Sequence, residues 1–265
     1  MRDAPVHFST ADAVLRITLD RPSHRNSLTA VSVRAIVEAL ERAAADDSLR
    51  AVLFDSSGPD FCSGADVVAA NPEGGDRPRI GNLQRRTAVQ AHRLMELLTS
   101  IQLPVVCAVR GWAAGLGCQL ALAADFTVAA ETATFWEPFA ARGFTPDSGA
   151  TWFLPRLVGV ARAKELLLLG EKVSGARAAE WGMIHRAVPD DEVDEAAAAL
   201  VQRLARGPTL AIGLAKLCIQ SALSLPLGEA MAKEALALEL SARSRDFREG
   251  LSAFKDRREP KYEGR

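Results

Sequence analysis

The 265-residue chain lacks the signatures of several common enzyme classes. No GxSxG occurs, which removes a serine nucleophile elbow. The one approach to GxGxxG, GLGCQL, has Leu120 where the third glycine belongs, which argues against a dinucleotide fingerprint. Cys62, Cys107, Cys118 and Cys218 form no CxxC pair, so neither a zinc site nor a disulfide framework is indicated. His7, His24 and His185 form no metal-ligand pattern, and no metal is expected. Charge of one sign is also missing. The net charge of −1 gives no electrostatic case for nucleic acid or an anionic membrane. The opening MRDAPVHFST has no apolar core of the secretory kind. The longest apolar stretch, 104–130, is interrupted by Arg110, Gln119 and Asp125 and does not read as a membrane span. The remaining expectation is a cytoplasmic enzyme of ordinary globular composition, 48% hydrophobic and 25% charged.

That apolar stretch organises the chain. Pro104 introduces the β-branched run VVCAV, which reads as a buried strand. Gly111, Gly115 and Gly117 then break the backbone, and good helix formers follow from about 117 to 124. A helix N-terminus after a glycine turn presents unpaired backbone N–H groups and the positive end of the macrodipole. Such a site suits an anion, or an oxygen that becomes anionic during a reaction. Small residues here equally suit close packing of a helix on a strand.

Taken in order, residues 13–19 alternate as a strand and 20–26 form a loop. Ser27 is the expected N-cap of a helix reaching about 46. Residues 50–54 read as a strand, and FCSGAD at 61–66 as a second small-residue turn beyond it. Residues 71–82, rich in Gly and Pro, are expected to be a mobile loop before an amphipathic helix over 83–100. The pattern over 133–142 is ambiguous. GFTPDSGAT turns into a helix from about 150, short helices follow over 161–170 and 175–181, HRAVP suits a strand, and 194–206 is helical. From 207 the sequence turns almost wholly helical, broken near Leu225–Pro226, so a core over 1–206 and a helical appendage over 207–265 are expected. No internal repeat is evident.

The segments ITLDRPSHRNSLT, DFCSGAD, PVVCAVRGWAAGLGCQLALAADFTVAA, GFTPDSGAT and SAFKDRREPKYEGR, in this order and spacing, resemble the crotonase (enoyl-CoA hydratase/isomerase) superfamily over nearly the full chain. The resemblance implies an α/β fold, a crotonase-like spiral of ββα turns, with a helical C-terminal region that forms a homotrimer or dimer of trimers. It implies acyl-CoA thioester substrates and no cofactor beyond the coenzyme A that the substrate carries. In the family two backbone N–H groups hold the thioester oxygen as it becomes an enolate. Those positions fall on Ser63 and Leu116, with Gly115 as a one-residue alternative to Leu116. Ser63, Gly64, Ala65 and Asp66 match the segment lining the adenine and pantetheine site. Phe254 and Arg257 match residues that reach a neighbouring subunit's CoA.

The departures narrow the chemistry. The two glutamates of the family's hydratases fall at Gln119 and Phe139, and neither a neutral amide nor a phenyl ring can serve as general acid or base. Glu137 lies two residues from the second position. Asp147 matches an acidic catalytic residue of family isomerases and the aspartate nucleophile of chlorobenzoyl-CoA dehalogenases. PDSG at a helix start is also what an N-cap aspartate looks like. GFTPDSGATWFLPRLVGVARAKELLLLG, AAEWGMIHRAV and SRDFREGLSAF resemble the epoxyphenylacetyl-CoA isomerases of phenylacetate degradation. His92 resembles in its spacing the dehalogenase general base, but the tryptophan that dehalogenation wants near Phe139 is absent. Phe135, Trp136 and Phe139 suit an aryl pocket or the core, and Arg77, Arg79, Arg85 and Arg86 suit CoA phosphates or a solvated face. The sequence reading is an acyl-CoA isomerase that passes through a thioester enolate. The alternatives are an enoyl-CoA hydratase in the broad sense, an aryl-CoA dehalogenase and a non-catalytic CoA-ester-binding protein.

Overall fold

The computed structural model describes residues 5–66 and 79–265. Strands β1 (Val6–Ala11) and β2 (Val14–Leu19) form an antiparallel hairpin. Asp12 and Ala13, both at positive φ, make its two-residue turn. Strand β3 (Ala51–Ser56) then adds parallel to β2, followed by β4 (Val105–Val109), β6 (Phe126–Ala130) and β9 (Arg186–Val188), giving a six-stranded sheet of order β1-β2-β3-β4-β6-β9. Strands β3 and β4 are buried almost throughout, as parallel strands covered on both faces require. A smaller sheet holds β5 (Trp112–Ala114), β7 (Thr134–Trp136) and β8 (Lys172–Ser174).

The two sheets give the chain its spiral. Each turn places one strand in the large sheet and a short extended piece in the small one, then a helix. Leu28 follows β2 and precedes α1 (Ala30–Ala43), and it bridges in parallel to Ala65. Cys62 follows β3 and bridges to Ala113. Strands β4 and β5 lead to a helix over Leu116–Ala123, and β6 and β7 lead to one over Ala150–Lys164. The Leu28 bridge also corrects the expected N-cap. The backbone stays extended through Leu28, so Thr29 rather than Ser27 caps α1, its Oγ1 accepting from Ser32 N at 3.1 Å.

Between β3 and β4, α2 (Asn82–Thr87) runs through a π-helical turn, Ala88–His92, into α3 (Arg93–Ser100). The expected mobile loop lies mostly outside the described residues, as does Arg77. Helix α4 is Leu116–Ala123, and all of it is buried. Helix α5 is Ala150–Lys164, continuous across Pro155 and bent at Gly159, where φ is +77°. It runs on into a second π-helical turn, Glu165–Leu169. Helices α6 (Gly175–Glu180) and α7 (Val193–Ala205) follow, with α7 packed on β3, β4 and β6. Past residue 207 the chain is helical: α8 (Thr209–Ala222), α9 (Leu227–Ser241) and α10 (Arg245–Asp256). Two contacts tie this region to the core. Buried Lys216 on α8 donates to Asp125, Leu98 O and Leu103 O. Arg50, just before β3, donates to Gly207 O, Thr209 Oγ1 and Tyr262 O. Among the described residues no helix is long and apolar enough to cross a membrane.

Candidate active site

The turn over residues 62–66 and the N-terminus of α4 lie against each other. Cys62 N donates to Trp112 O at 2.8 Å, and Ala114 N to Cys62 O at 2.9 Å. Two glycines permit the approach. A Cβ on Gly117 would lie 2.4 Å from Cys62 O, and one on Gly64, at φ +99°, would lie 2.7 Å from Ala114 O and 3.4 Å from Leu116 N. The close-packing reading of these small residues therefore holds.

Backbone hydrogen bonds decide which amides can hold an oxygen. Leu116 N–H opens α4 and has no acceptor among the described residues, whereas Gly115 N–H donates to Trp136 O at 2.9 Å. Among the described residues the Leu116 N–H is therefore open to a ligand oxygen, and the Gly115 N–H is not. Ser63 is corrected: its N–H donates to Arg25 O at 2.9 Å and is not available to a thioester oxygen. The free amide is two residues on, at Ala65. Gly64 O accepts from Leu28 N at 2.8 Å, and a trans peptide points the next N–H the opposite way. Ala65 N–H thus faces away from Leu28 and has no acceptor among the described residues. Asp66 extends the same bridge, its N–H donating to Leu28 O, and its carboxylate pairs with Arg21 at 3.0 Å.

Helix α4 carries Gln119 one turn beyond Leu116, on the same face. Gln119 is fully buried, and its Nε2 donates to Glu137 Oε2 at 2.9 Å. Glu137, just after β7, is 2% exposed. Burial pushes its carboxyl up to about 8; the charge of Asp147 adds to this, while the neighbouring Cys118 thiol and the hydrogen bond from Gln119 oppose it. Burial also holds the neighbouring Cys118 thiol well above its ordinary range. Phe139 is buried, edge-on to Phe144 with ring centroids 5.4 Å apart, and brings no titratable group. Phe135 is likewise core, and Trp136 donates its indole N–H to Gly170 O at 2.9 Å.

Asp147 does not cap α5. Gly149 occupies the N-cap position with no side-chain bond, and only the Asp147 carbonyl meets the helix, accepting from Ala150 N at 3.0 Å. The carboxyl is left to other work. Ser148 and Gly149, both at positive φ, turn the chain into the helix in its place, a conformation a serine adopts only under constraint. Partial burial raises the Asp147 pKa, and the Ser148 hydroxyl and the charge of His92 oppose the rise. His92 ends the π-helical turn, a distortion often found at functional sites. Beside it lies a cavity of about 560 Å³ bordered by His92, Met95, Ser148, Gly149, Trp152 and Phe153. Phe135, Trp136 and Phe139 do not border this cavity; Trp152 and Phe153, edge-on at 5.0 Å, form its aromatic wall. The run ATWF just after PDSG is the signal that marks it. Phe254 on α10 is 86% exposed, and Arg257 ends that helix at positive φ.

The sequence profile described as Enoyl-CoA hydratase/isomerase matches residues 9–265. The chain belongs to the enoyl-CoA hydratase/isomerase family. Within it, the chain is 39% identical to a protein of Rhodobacter capsulatus named "Probable enoyl-CoA hydratase", over 98% of each sequence. It is 38% identical to the 1,2-epoxyphenylacetyl-CoA isomerase of Escherichia coli, over 95% of each. The crystal structure of an enoyl-CoA hydratase from Bacillus anthracis superposes with a TM-score of 0.91 at 30% identity, covering 99% of this chain and all of that one. The crotonase-type spiral expected from the sequence is therefore the fold, and both activities of the family name occur among its relatives.

Proposed function

We propose that this protein is an acyl-CoA isomerase that shifts a double bond, or rearranges a ring, through a thioester enolate. The observation that carries the reading is Asp147: it stands at a helix start, where a cap would use its carboxyl, and the cap does not use it. In this reading Asp147 as carboxylate takes a proton from a carbon activated by the thioester. Electron density moves onto the thioester oxygen, which the Ala65 and Leu116 amides hold. The same proton returns from Asp147 to a different carbon, and the double bond has moved. Fixed backbone donors suit the enolate because they need no reorganisation, and one such donor is typically worth about 3 kcal/mol in the transition state. A raised pKa suits Asp147 to both halves of the transfer. The double-bond shift moves only a proton and calls on no cofactor. Gly64, Ala65 and Asp66, with Phe254 and Arg257 from a neighbouring subunit, are the proposed contacts to CoA. We place the protein in the cytoplasm as a homotrimer or dimer of trimers, consistent with apolar side chains exposed on α9 and α10, among them Leu236, Leu238 and Leu240. Light scattering that showed a monomer at micromolar concentration would remove the trimer.

A hydratase reading draws on Glu137 and on the Rhodobacter relative's name. Raised to about 8, Glu137 is protonated at neutral pH and is a poor base for activating water. The deciding experiment incubates unsaturated and aryl acyl-CoAs with the enzyme in deuterated water. Double-bond migration is expected, with crotonyl-CoA hydrated at least about a hundredfold more slowly. Hydration of crotonyl-CoA as fast as any migration would overturn the isomerase reading.

A further inference from the structure

The Gln119–Glu137 pair is left unfinished. Both residues are fully or nearly fully buried, yet Gln119 Oε1 and Glu137 Oε1 have no hydrogen-bond partner. Leaving a buried polar atom unpaired is costly, so native interiors rarely leave two together. The groups bearing them are joined by one hydrogen bond, Nε2 to Oε2, which leaves one open atom on each. With Glu137 neutral, the proton resides on Oε1, and the open pair is one acceptor (Gln119 Oε1) and one donor (Glu137 Oε1–H). Turning the amide over exchanges the roles without changing the sum, because Gln119 N–H then donates and Glu137 C=O accepts. One donor beside one acceptor fits a group that both gives and takes a hydrogen bond through a single oxygen.

We propose that Gln119 and Glu137 form a hydroxyl-binding subsite next to Asp147, which holds either a hydroxyl of the acyl group or a water. Its place supports the assignment. Gln119 is one helical turn from Leu116, whose amide is a proposed oxyanion donor, and Glu137 feels the charge of Asp147. The groups that face Glu137 favour its neutral form on balance: burial and Asp147 oppose ionisation, Cys118 and Gln119 favour it less strongly, and His92 acts on Asp147. A hydroxyl held here would be positioned, with Asp147 left to move the proton. The inference rests on the acyl-CoA reading of the site and is independent of whether Asp147 is catalytic.

The test is a pair of crystal structures of the oligomer at neutral pH, one with 3-hydroxybutyryl-CoA and one with butyryl-CoA, at a resolution that shows waters. An oxygen within hydrogen-bond distance of both open atoms is expected. If it is the ligand hydroxyl in the first complex, the substrate supplies it; a water there in both complexes makes water the occupant. Glu137→Gln should keep the oxygen, because an amide still offers a donor, whereas Glu137→Leu should lose it. Where the ligand supplies the hydroxyl, calorimetry should show 3-hydroxybutyryl-CoA bound about three- to tenfold more tightly than butyryl-CoA by the wild type and by Glu137→Gln, but not by Glu137→Leu. The proposal is overturned if no oxygen contacts both atoms, if the two Oε1 atoms bond directly to each other, or if the oxygen persists in Glu137→Leu. If neither ester binds, the acyl-CoA reading fails and this subsite with it; binding without the oxygen removes the subsite alone.

Discussion

Lys216–Asp125 and Gln119–Glu137 are both buried polar pairs, and they are completed differently. Lys216 has three N–H donors and uses all three, on Asp125 at 2.7 Å, Leu98 O at 2.8 Å and Leu103 O at 3.1 Å. Asp125 Oδ2 also accepts from Val105 N at 2.8 Å. That pair closes on the backbone at the end of α3 and the start of β4 and pins α8 to the core. Gln119 and Glu137 share a single hydrogen bond and leave an oxygen open on each. A satisfied network holds a structure in one arrangement, whereas open valences in a buried site mark where something else belongs.

Three measurements break or sharpen that contrast. The largest effect belongs to the satisfied pair. Lys216→Met leaves Asp125 buried without its cation and should cost about 3–5 kcal/mol of stability in a urea titration. The rate of the folded fraction should hardly change, since nothing in the site touches Lys216.

Glu137→Gln should act through pH. The folded-state pKa of Glu137, about 8, lies above its ordinary 4.5, so the folded protein holds this proton more tightly than the unfolded chain does. The group's contribution to stability is full below about pH 4.5 and is lost as pH rises towards 8, at up to about 1.4 kcal/mol per pH unit. Glu137→Gln has no such proton. Melting temperatures measured from pH 5 to 9 should therefore fall less steeply for the variant than for the parent. Equal slopes would mean that Glu137 is not held neutral.

The smallest effect concerns His92, whose charge lowers the pKa of Asp147. His92→Asn should move the acid limb of the pH–rate profile upward, with a loss of about two- to fivefold at pH 6. A loss of several orders of magnitude would instead make His92 a direct participant, as in the dehalogenase pattern.

Much of this architecture was legible in the sequence because glycines mark close approaches. Gly64 and Gly117 sit where a Cβ would strike backbone, and the turns they open are the two that the order of strand and glycine marks in the sequence. The β-branched run of β4 and the helical character after residue 207 were equally plain. What escaped depends on partners far along the chain. Whether Ser63 or Ala65 keeps a free N–H is decided by Arg25 and Leu28, some 38 residues earlier, through bonds that no local pattern encodes. The same bridge at Leu28 moved the cap of α1 from Ser27 to Thr29. Strands β5, β7 and β8 have three residues each, too few to show a period. Asp147 looked like a cap because the sequence PDSG does not reveal that Ser148 and Gly149 would turn left-handed and start the helix themselves. Gln119 and Glu137 are both plain in the sequence, but their pairing is a matter of the fold.

The rate of Asp147→Asn tests the central claim most directly. Asparagine keeps the shape of the side chain and caps a helix about as well as aspartate, so it removes the proton-transfer group and little else. Isomerisation of an acyl-CoA substrate should fall by roughly two to four orders of magnitude, with ester affinity and melting temperature nearly unchanged. A variant that isomerises at the parental rate would contradict the account and leave the proton transfer without an assigned side chain.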